Sequence, residues 1–72
     1  MASTFSSTLT PLAWRIADAE ANLAAAELVW RNRARELDAR PSALALDLAR
    51  DATIGVREAC DDLEALRAEA RA

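Results

Sequence analysis

The chain has 72 residues, 53% hydrophobic and 29% charged, with a formal net charge of −3, no histidine and one cysteine, Cys60. A core this small is marginal alone and is ordinarily supported by disulfides, a metal or a partner chain. One cysteine closes no internal disulfide, the lack of histidine removes any Cys/His metal cluster, and the acidic balance argues against nucleic acid, which needs a basic surplus.

With one glycine and two prolines, the composition is that of an ordered helical chain. Much of the apolar content is alanine, which favours helix but buries little area. All nine basic residues are arginine, which points to a GC-rich coding genome and a bacterial source. No apolar run approaches the roughly 18–20 residues of a membrane span. MASTFSSTLT lacks the basic and apolar regions of a secretory signal. The expected location is cytoplasmic.

Residues 1–9 are rich in Ser and Thr without periodicity and read as a flexible N-terminal arm. A first helix is expected over about 10–38. Thr10 suits the N-cap and Pro11 the first helical position, where its missing N–H costs nothing. Arg31, Arg35 and Arg40 fall near its end, favourable against the negative end of the helix dipole. Pro41 forces Arg40 out of the α region, placing a turn at 39–42. Either Pro41 opens the second helix, expected over about 42–71, or Ser42 caps it. Two helices of about 42–45 Å joined by a tight turn make an antiparallel αα-hairpin. The fold class is therefore all-α.

At about 100° per residue, a heptad stripe on the first helix runs Leu9, Leu12, Ile16, Ala19, Leu23, Ala26, Trp30 and Leu37, interrupted by Arg33. On the second helix Leu44, Leu48, Ala52, Val56, Ala59, Cys60, Leu63, Leu66 and Ala70 share one face. The expected intrachain core is thus Leu12, Ile16, Leu23, Trp30 and Leu37 against Leu44, Leu48, Val56, Leu63 and Leu66. Leu46 and Ile54 project onto the polar side of the second helix. Arg57–Asp61 and Glu64–Arg67 read as solvated intrahelical pairs. Gly55, mid-helix, reads either as a point of close helix approach or as a neutral surface glycine.

The first helix also carries a second apolar stripe, roughly 160–180° from the first: Trp14, Ala17, Ala21, Ala24, Ala25 and Leu28. Glu20, Glu27 and Arg31 border it on one side; Arg15, Asp18, Asn22 and Glu36 border it on the other. A helix apolar on two sides is usually sandwiched. One face is expected to build the hairpin and the other to meet a partner, completing a four-helix bundle by dimerisation or partner binding. The competing reading is a helix-favouring alanine surface with one exposed tryptophan.

Chemistry is sparse. General acid–base and nucleophilic catalysis usually need His, or Cys or Ser beside a base, and Cys60 reads as a small buried hydrophobe. Asp61 and Asp62 point about 100° apart on a helix and cannot chelate together. RNRAR, residues 31–35, is the only basic cluster, and its spacing suits pairing of Arg31 and Arg35 with Glu27 or Asp38. No catalytic, cofactor-binding or metal-ligating residue is assigned, and no enzyme is expected. The expected function is a non-enzymatic interaction module (an adaptor, small chaperone, antitoxin-like inhibitor or assembly factor) whose partner is a second copy, a client protein or both. A polymerising structural subunit is the alternative, since head-to-tail packing builds rings or filaments.

The layout of a Ser/Thr-rich arm, a helix, the Pro-Ser turn of LDARPSALA (residues 37–45) and a second helix resembles small hairpin subunits and co-chaperones of type III secretion systems. That resemblance implies a self-assembling subunit or co-chaperone of a secretion apparatus. The ending DDLEALRAEARA departs from the apolar C-terminus of a needle subunit.

Overall fold

The computed structural model describes residues 10–72; the Ser/Thr-rich segment 1–9, with Leu9, lies outside the described residues. The described chain is two packed helices, α1 (Pro11–Ala39) and α2 (Ala43–Arg71), each of 29 residues. They form an antiparallel hairpin. Thr10 is extended, and its Oγ1 accepts the Ala13 N–H at 3.0 Å while Pro11 occupies the first turn. Ser42 does the same for α2, its Oγ accepting the Ala45 N–H at 3.0 Å. Of the two sequence readings of the turn, Ser42 is the cap and Pro41 lies before it. Arg40 leaves the helical region (φ −143°, ψ 79°), and its N–H donates to the Glu36 carbonyl at 2.8 Å.

The last turn of α1 holds no basic residue, which corrects the expectation that arginines crowd it. Arg31 and Arg35 lie more than one turn from the end, Arg40 is the cap, and the turn carries Glu36 and Asp38. Because dipole effects fall off within one turn, only α2, with Arg71 in its last turn, has a basic residue so placed.

The seam is built from Leu12, Ile16, Ala19, Leu23, Ala26, Ala34 and Leu37 of α1. They face Ala45, Leu48, Ala49, Ala52, Val56, Ala59, Leu63 and Leu66 of α2, all of them buried or half-buried. Most steps along each helix are three or four residues, as helices crossing at a shallow angle require. Only Ala19 at 7% and Leu63 at 4% exposure are fully buried among the described residues. A two-layer seam covers each residue from one side only, and alanine contributes little area to it.

Three sequence expectations fail at the seam. Leu44 is 68% exposed. It projects about 85° from the middle of the seam, at the turn end, and Ala45 takes the seam position instead. Cys60 is exposed, about 75° off the seam on the other edge, so it is not a buried hydrophobe. Trp30 has the correct phase but is 43% exposed. The facing side chains at its level, Ala49, Ala52, Thr53 and Val56, are small, and closely approaching helices leave no gap for an indole between them. The ring lies at the edge, where Nε1–H donates to Thr53 Oγ1 at 3.1 Å. The Thr53 hydroxyl donates onward to the Ala49 carbonyl at 3.0 Å.

The ion pairs among the described residues also differ from expectation. Arg67 donates across the seam to Glu20 at 3.2 Å rather than to Glu64. On the opposite edge Arg15 meets Glu69 at 3.6 Å, and Arg33 meets Glu36 within α1 at 3.5 Å. Arg57–Asp61 is not formed, nor do Arg31 and Arg35 pair with Glu27 or Asp38. The four cross-seam groups Arg15, Glu69, Arg67 and Glu20 are exposed, so these pairs help set register and contribute at most about 1 kcal/mol each. A Cβ added at Gly55 would meet nothing within 4 Å; no helix approaches it. Among the described residues, no helix is long and apolar enough to cross a membrane.

Candidate interaction surface

The hairpin has two unlike outer faces. That of α2 is charged: Asp47, Arg50, Asp51, Arg57, Glu58, Asp61 and Glu64 surround the exposed Leu46 and Ile54. That of α1 is apolar. Trp14 is 48% and Leu28 56% exposed, and the Ala17, Ala21, Ala24 and Ala25 between them are all exposed. The stripe stands about 175° from the middle of the seam on a 3.6-residue helix. None of its six residues packs in the intrachain core. The difference has a local cause: the apolar residues of α2 gather on one side, whereas those of α1 are spread around the helix.

Sequence reasoning missed Val29, which is also exposed. It lies about 40° from Ala25, one turn on, and widens the apolar face beside Leu28. The available signal was the i,i+4 relation to Ala25, masked by the borderline phase of Val29 between the polar Asp18 and Asn22.

Both borders of this face carry mixed charge: Glu20, Glu27 and Arg31 on one side, Arg15, Asp18 and Glu36 on the other, with Arg35 beyond Leu28. Neither Arg31 nor Arg35 forms an ion pair among the described residues. A separate shallow groove follows the Trp30 edge, lined by Glu27, Trp30, Arg31, Thr53, Val56, Arg57 and Cys60. Glu27, Arg31 and Arg57 supply its charge, and the rest of its lining is largely apolar. Among the described residues no group of three or more His, Cys, Asp or Glu side chains converges on a point that could hold a metal.

No protein-family model matches this chain, and no curated protein or solved structure is significantly similar to it.

Proposed function

We propose that this chain is a non-enzymatic protein–protein interaction module, a small helical adaptor or assembly factor whose working surface is the outer face of α1. The observation that carries this reading is the pair of large apolar side chains, Trp14 and Leu28, held half-exposed at the two ends of an uncharged stripe. Large exposed apolar patches rimmed by charge mark interaction sites. An aromatic anchor flanked by small residues is the composition of an interface centre. The thin seam supports the same reading: with Ala19 and Leu63 alone fully buried among the described residues, the hairpin gains stability from whatever covers α1. A partner there adds helices to the hairpin and makes a four-helix assembly.

A closed assembly is favoured over a polymer. Head-to-tail growth needs a second surface complementary to the first, and the charged outer face of α2 does not supply one.

The test is Trp14→Ala, alone and with Leu28→Ala, followed by sedimentation velocity, capture of host proteins and far-UV circular dichroism. Loss of a large aromatic anchor should weaken association about thirtyfold while helical content stays unchanged. If both substitutions leave association and capture intact, the stripe is ordinary surface.

A further inference from the structure

We infer that the occupant of the outer face of α1 is a second copy of the same helix, docked antiparallel about a two-fold axis. The four helices then lie in a row, α2–α1–α1–α2, rather than at the corners of a square. This rests on the interaction reading above and specifies its partner.

The row follows from phase. A square bundle needs the two apolar faces of a helix about 90° apart, whereas those of α1 stand about 175° apart. A hairpin docked on the outer face therefore continues the layer.

The choice of a second copy follows from charge. Glu20 and Arg31 lie on the same border of the face, at opposite ends. In an antiparallel two-fold pair, each border meets the same border of the other copy. Glu20 then lies beside Arg31 of the second copy, twice by symmetry. Glu20 uses its Oε2 for Arg67, which leaves Oε1 to accept from the incoming guanidinium. A parallel pair would instead set Glu20 beside Asp18 of the other copy, acid against acid, and align the helix dipoles unfavourably.

Side-chain size agrees with this register. With facing residue numbers adding to about 49, the Leu28 knob enters the hole between Ala17, Ala21 and Ala24 of the second copy. Ala24 and Ala25 cross at the two-fold axis, where small side chains permit axes about 8 Å apart. Trp14 comes under Arg35 of the second copy, a guanidinium within reach of an indole face. Arg31 and Arg35, which form no ion pair among the described residues, thus each gain a counterpart.

The experiment has three arms. Sedimentation equilibrium at about 100 µM, well above the Kd of a weak specific dimer, should return twice the chain mass. In a Cys60→Ser background, Ala24→Cys should form an interchain disulfide under mild oxidation, because position 24 faces itself near the axis. Trp14→Cys should not, since its two copies lie about 30 Å apart at 1.5 Å per residue. Finally, Glu20→Arg and Arg31→Glu chains should each self-associate poorly, yet an equimolar mixture should pair about tenfold more tightly, because both contacts become attractive only in the mixed dimer.

Helical content by circular dichroism controls for folding; all five substituted positions lie outside the seam core. A monomer at that concentration, self-cross-linking at both positions, or a mixture no tighter than either variant alone overturns the proposal. A monomer that loses a heterologous partner on Trp14→Ala also overturns it while leaving the interaction reading intact. A dimer insensitive to Trp14→Ala and not cross-linked by Ala24→Cys overturns both.

Discussion

The two tryptophans behave differently because of what faces each indole. Trp14 stands on the outer face, where Ala17 and Ala21 continue its stripe and no residue of α2 covers it. Trp30 has the phase of a core residue, yet 43% of it stays in solvent, because the opposing wall of α2 is made of small residues and the ring slides to the edge. Full core truncation of a tryptophan costs about 3–5 kcal/mol. Trp30→Ala, half-buried at an edge that water can refill without leaving a cavity, should cost about 1–2 kcal/mol, including its hydrogen bond to Thr53. Urea unfolding at a fixed chain concentration measures this. A cost above 3 kcal/mol would show that the ring is more deeply covered in solution. Gly55 gives a prediction of opposite sign. With open space at its Cβ and an ordinary helical backbone, Gly55→Ala should stabilise the chain by about 0.5–1 kcal/mol, seen as a higher urea midpoint with an unchanged slope.

At the scale of elements, the hairpin is set by its caps and its turn. Thr10-Pro11 and Ser42 start the two helices, and Arg40-Pro41 prevents their fusion into one. These signals are local and were legible from the sequence, because a side-chain oxygen accepting from the third residue onward needs no tertiary context. Ser42→Ala should cost about 1 kcal/mol, and Ser42→Asp should restore it; thermal unfolding of the three chains in parallel checks both. The favourable arginine placement at the end of α1 was misread, since a shift of a few residues moves a charge out of the turn where the dipole acts. The ion pairs were misread for a related reason. Intrahelical spacing ranks Glu64 as the partner of Arg67, but the packed neighbour brings Glu20 to 3.2 Å.

For the whole molecule, stability and association are coupled. A seam with two fully buried residues among those described is thin for an independent domain, and docking through α1 would give that helix an apolar neighbour on both sides. If the folded unit is a dimer, mass action makes its melting temperature depend on concentration. The midpoint should rise by about 2–5 °C per tenfold increase in chain concentration, and Ala21→Glu, which buries a charge at the contact, should abolish the dependence. A midpoint independent of concentration over two decades would identify a self-sufficient hairpin.

What the amino-acid sequence alone determined was helix length, capping, the position of the turn, the phase of the seam and the two-sided character of α1. All of these follow from backbone propensity and the 3.6-residue repeat, which act over a few residues. The candidate surface was also legible, because Trp14, Ala21 and Leu28 share a phase that no other stretch of the chain repeats. Tertiary structure alone decided which phase-matched residues are covered. A helical wheel assigns each side chain an angle, but not the volume of the wall opposite, how far the neighbouring helix extends, or which charge that neighbour brings close. That is why Trp30 meets Thr53 at an edge and Arg67 crosses the seam to Glu20, whereas Leu44 and Cys60 are exposed because their phase lies at the margins of the apolar arc.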